Sequence, residues 1–114
     1  RKITSSGTVS TLAGTAGSAG SNNGTGTSAM FNTPRSLAID SGGNVYVADF
    51  NNHLIRKITS SGTVSTLAGT AGTYGNANGT GTNATFNFPT GVAVDSSGNV
   101  YVADYTNHLI RKII

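Results

Sequence analysis

The sequence predicts an all-β fold made of repeated four-stranded sheets, on three observations. A unit of 55 residues occurs twice in tandem. Each unit holds four short runs rich in Val, Ile, Thr and Tyr, residues suited to a pleated, half-buried surface. Turns rich in Gly, Ser and Asn separate the runs about every eight to twelve residues, the spacing of a sandwich, barrel or propeller.

Arg1-Lys2-Ile3 recurs at Arg56-Lys57-Ile58 and at Arg111-Lys112-Ile113, with an offset of 55 each time. Residues 1–55 and 56–110 differ at 14 positions and agree at the other 41. The differences cluster at 18–22, 28–42 and 50–51. Such likeness points to very recent duplication or deliberate design.

The first strand of a unit is Leu37 to Asp40 (Val92 to Asp95). It ends in the turn Ser41-Gly42-Gly43-Asn44, whose glycines accept positive φ. The second is Val45 to Asp49 (Val100 to Asp104), and Phe50-Asn51-Asn52 turns the chain. The third is His53 to Ile58. Thr59 to Gly62 then leads into the fourth, Thr63 to Leu67. Val45 and Val47 point one way, Tyr46 and Ala48 the other, so both faces need cover. Radial stacking of sheets supplies it. The stems of Arg56 and Lys57 are expected to lie along the sheet with their heads in water. A longer segment, Ala13 to Pro34 (Ala68 to Pro89), joins the fourth strand to the next first strand, with Phe31 and Phe86 as anchors. Loops of this length are usually functional or disordered.

Composition narrows the function. Charged residues make up 10% of the chain, against a usual figure of about 25%. Its net charge of +3 comes from Arg35 and a third Arg-Lys pair, while a generic unit is neutral, so nucleic acid is disfavoured as a partner. With no cysteine, disulfides, thiolate metal sites and Cys nucleophiles are excluded. No apolar stretch approaches the roughly 20 residues of a membrane span, so no membrane partner is expected. The absence of a start Met or signal peptide suggests a mature fragment or a design.

Pro-x-x-(Leu/Val)-Ala-(Ile/Val)-Asp, Gly-Asn-Val-Tyr-Val-Ala-Asp and Asn-His-Leu-Ile-Arg-Lys-Ile follow one another in both units. This pattern resembles the NHL repeat, named for Asn-His-Leu, here Asn52-His53-Leu54 and Asn107-His108-Leu109. The resemblance implies β-propeller blades of four antiparallel strands, most often six to a ring. On that frame residues 1–114 form a single propeller segment. Residues 1–13 carry an orphan fourth strand at 8–12, residues 34–68 a complete blade, and residues 89–114 a blade lacking its fourth strand. The expected partner is the chain itself, exchanging strands head to tail. A homotrimer would make six blades, and the runner-up, a tetramer, eight.

The expected function is a self-assembling scaffold or interaction module without catalytic activity or cofactor. Asp49, Asp104, His53 and His108 repeat in every blade and read as structural turn residues. A catalytic site or a metal centre needs unequal residues converging on one point. This also counts against a channel-type lyase or lactonase. Asp40 to Asn44 and Asp95 to Asn99 lack the ligands of a calcium loop. The Gly-rich loops lack the Gly-Lys-Ser/Thr of a phosphate site. Sequon matches at Asn23, Asn78 and Asn83 are expected by chance in such loops. The alternative function is binding of glycan, peptide or RNA by the long-loop face. Its candidate residues are Arg35, Phe50, Asn52, Tyr74, Tyr105 and Asn107.

Overall fold

The computed structural model of the chain describes residues 1–114. Its strands are β1 (Lys2–Ile3), β2 (Val9–Ser10), β3 (Gly24–Thr25), β4 (Pro34–Ile39), β5 (Val45–Asp49), β6 (Leu54–Ile58), β7 (Thr63–Ala68), β8 (Pro89–Val94), β9 (Val100–Asp104) and β10 (Leu109–Ile113). All ladders between them are antiparallel.

The first blade is the meander β4-β5-β6-β7. β3, from the long segment before it, pairs with the outer strand β7 as a fifth strand. β8, β9 and β10 form a three-stranded sheet, and β1 and β2 a separate hairpin. That hairpin repeats the outer edge of the first blade in the same register. Lys2 faces Ser10 as Lys57 faces Ser65, and Ile3 faces Val9 as Ile58 faces Val64.

Three strand boundaries differ from the expectation, the smallest being that the fourth strand runs on to Ala68. The first strand starts at Pro34, not Leu37, and ends at Ile39. Asp40 leaves the ladder because its carboxylate accepts the N–H groups of Gly42 and Asn44 in the turn. The third strand starts at Leu54, because His53 is left-handed with φ 57°.

The two sheets pack face to face, and the alternation of strand β5 decides how. Tyr46 and Ala48, with Ile55 and Ala68, bury against Val100 and Val102 of the second sheet and against Ala84 and Phe86 of the long segment before it. Val45, Val47, Ile58 and Val64 point away and pack with Ala29, Leu12, Ala13 and Phe31. Both faces of one sheet are thus apolar, as blades require.

Equivalent residues show what a neighbouring sheet covers. Ile55 and Tyr46 are 0% and 5% exposed, whereas Ile110 and Tyr101 are 78% and 37% exposed. On the opposite side, Leu37 and Ile39 of the first sheet are open, while their equivalents Val92 and Val94 are packed. The two open faces are the two halves of the interface that already joins the blades.

Candidate functional site

Each blade is tied to its long loop by a buried ion pair. Arg56 donates from Nη1 to Asp49 Oδ2 at 2.7 Å, and both side chains are fully buried. Nη1 also donates to the Met30 carbonyl, and Nη2 to the Asn22 carbonyl and Asn23 Oδ1, each at 2.9 Å. Asp49 Oδ1 accepts the Asn32 N–H at 2.8 Å. The second blade repeats the arrangement with Arg111, Asp104, Asn78 and Asn87. A buried carboxylate with a guanidinium and an N–H as partners can be kept charged inside a sheet.

This corrects three expectations. The Arg56 head does not reach water; it turns inward because a carboxylate and loop carbonyls satisfy it there. The loop from Ala13 to Pro34 is not structureless, since Arg56 and β7 hold it. Asn52 and Asn107 are not surface donors for a ligand. Asn52 Nδ2 bonds the Gly20 carbonyl and Asp49 Oδ2 at 2.7 Å each, and Asn107 bonds Gly75 and Asp104 likewise. Asn23 and Asn78, in two of the sequon matches, are side-chain acceptors of the same latches.

A second cluster lies where the loops of the two blades meet. The Arg35 guanidinium carbon sits 3.8 Å from the centre of the Phe50 ring. Phe50 lies 4.7 Å from Phe88, and Phe88 packs edge-on to His53 at 4.5 Å. Tyr74 follows 5.7 Å from His53 and is 67% exposed. The Phe88 N–H donates to His53 Nδ1 at 3.1 Å, so the imidazole is neutral with its proton on Nε2. Burial lowers the His53 pKa, opposed in part by the charge of Asp104. Tyr105 is exposed, in the turn after β9 whose Thr106 N–H bonds the Asn87 carbonyl, and its ring does not join this stack.

The structure therefore joins Arg35, Phe50 and Tyr74 through two residues that the sequence did not offer as ligand contacts, Phe88 and His53. The available signal was the pair of unequal repeat positions, Thr33 against Phe88. Asp40 and Asp95 occupy the first-to-second turns. Each carboxyl is held below its ordinary range, first by the side-chain and backbone bonds of Asn44 or Asn99, with Tyr46 or Tyr101 adding another. No group of three or more His, Cys, Asp or Glu side chains is placed to hold a metal.

A four-stranded antiparallel meander packed face to face on a three-stranded one, with apolar sides, defines a propeller-blade repeat. The family model described as NHL repeat matches residues 31–58 and 86–113. The chain belongs to the NHL-repeat family. It is 36% identical over 95 residues to the Arabidopsis thaliana protein SUPPRESSOR OF QUENCHING 1, chloroplastic, a match covering 82% of this chain and 9% of that protein. Among solved structures it resembles a Bacteroides thetaiotaomicron protein of unknown function with a TM-score of 0.88 and 32% identity, over 96% of this chain and 28% of that one. It also resembles an auxiliary nutrient binding protein from Bacteroides ovatus, with a TM-score of 0.78 and 29% identity, over 90% and 28% of the two chains. The chain thus spans well under a third of the length of each of these relatives.

Proposed function

We propose that the chain is a non-catalytic propeller module whose copies complete one another's blades by exchanging strands. The observation that carries this reading is a slot on the outer edge of the second blade. A cavity of about 420 Å³ lies between Asn78, Gly79 and Thr80 on one side and Arg111, Lys112 and Ile113 on the other. In the first blade the same place holds β7, with Val64 2% exposed. Residues 8–13 repeat residues 63–68 without a change, and Val9 is 48% exposed. Inserted in the β7 register, Val9 of another copy would face Ile113, Ser10 would face Lys112, and Thr11 would face Arg111. The open faces at Ile110 and Leu37 meet in the same step. Three copies would give six blades and four would give eight.

The lack of catalysis is supported by the occupation of all four carboxylates, two in latches and two in turns. Light scattering during gel filtration tests the assembly. Three or four chain masses are expected. A folded monomer at micromolar concentration would refute it.

A second reading is ligand binding by the long-loop face. The Arg35–Phe50–Phe88 stack favours it, as does the resemblance to proteins described as auxiliary nutrient binding. Titration of the folded chain with glycans and peptides checks it.

A further inference from the structure

The two units part at few positions, and several of those positions converge in space. Four of the 14 unequal pairs are Ala19/Tyr74, Thr33/Phe88, Arg35/Thr90 and Phe50/Tyr105. Arg35 and Phe50 come from the first unit, Tyr74 and Phe88 from the second. They meet across the junction between the blades, at 3.8 Å for Arg35 on Phe50 and 4.7 Å for Phe50 on Phe88. His53, common to both units, bridges Phe88 to Tyr74. In repeats otherwise almost unchanged, Arg35, Tyr74 and Phe88 stand with Phe50 at one junction.

The Arg35 guanidinium is held against a ring but takes part in neither ion pair of the chain, and its residue is exposed. A planar cation fixed in this way offers its N–H edges to a carboxylate in two-point fashion. Beside it, Phe50 and Phe88 are half-buried and Tyr74 is open, which leaves ring surface for an apolar face. Exposed Thr33 and Asn51, bonded to each other at 2.9 Å, border the stack with hydroxyl and amide groups. A cation, ring surface and small polar groups side by side match a sugar ring that carries an acid.

We infer that this junction binds a carboxylate-bearing sugar, with Arg35 holding the carboxylate and the Phe50, Phe88 and Tyr74 surface holding the ring. The inference rests on the loop-face reading and is independent of ring closure. Because only one junction within a chain combines these residues, the site occurs once per chain.

Calorimetric titration with tri-galacturonate tests it on the 114-residue chain. One sugar per chain is expected. Arg35→Thr, which installs the residue already present at position 90 of the other unit, should weaken binding about tenfold or more. Phe88→Thr, which installs the residue of position 33, should weaken it as well. The fully methyl-esterified trisaccharide, which keeps the rings and lacks the charge, should bind the unchanged chain no better than the acid binds Arg35→Thr. Undiminished binding in Arg35→Thr, or two sugars per chain, would overturn the site while leaving loop-face binding in place. Failure of both sugars to bind the unchanged chain would overturn both.

Discussion

Asp49 and Arg56 are seven residues apart, on adjacent strands, and neither is exposed to water. Asp49→Asn would leave a buried guanidinium without its counter-charge. Removing one partner of a buried pair costs about 3–5 kcal/mol, so the urea midpoint should fall sharply with little change in slope. His53 gives a different signature. Its folded pKa is lowered from 6.5, so below that pH the unfolded chain binds the extra proton more readily. Stability should therefore decline as pH falls from about 6.5 towards the folded pKa, and then level off with respect to this group. His53→Asn keeps a residue that tolerates the left-handed turn and should lack that slope in denaturation series at successive pH values. Asp40 and Asp95 act lower on the scale. Their contribution is present above 3.8 and is lost as pH falls through their lowered folded values.

At the scale of the element, the strands were legible and the latches were not. Alternation and turn residues are local, so β5 and β9 have the boundaries that their runs of Val, Tyr and Ala suggested. The latch depends on contacts such as that of Arg56 with Asn22, which are distant in sequence. The usual tendency of long cationic side chains to reach water pointed the other way. Likewise His53 and Phe88 meet across blades, and no local pattern announces a bond between residues so far apart. The hairpin of β1 and β2 yields a prediction of its own. Two-stranded hairpins are marginal in water, and β1 holds the edge of β2 that β10 of another copy would take. Deleting residues 1–4 should raise the oligomer fraction at a fixed concentration, measured by analytical ultracentrifugation. A lower fraction would mean that β1 supports the assembled sheet.

Across the whole molecule, blade-to-blade packing is a head-to-tail contact, which closes into a ring or runs on as a filament. The interface within the chain shows the rotation that each step adds, and the open faces at Ile110 and Leu37 carry the same residue types forward. Burying a side chain such as Ile110 is worth about 1.5–3 kcal/mol, so Ile110→Asp should favour the monomer while sparing the contact between the chain's own blades. The number of copies can be counted covalently. The chain has no cysteine, so introduced thiols have no competitors. In the exchanged register Val9 of one copy faces Ile113 of the next, as Val64 faces Ile58 within the chain. Facing residues of an antiparallel pair are about 4.5–5.5 Å apart at Cα, within the range a disulfide spans. Mild oxidation of the Val9→Cys, Ile113→Cys double variant should give a ladder on a non-reducing gel that stops at the closed ring. A last rung of three copies would give six blades, and four would give eight. A ladder with no last rung would indicate an open filament. Monomer alone, from a chain that remains folded, would show that β2 does not enter the slot of its neighbour.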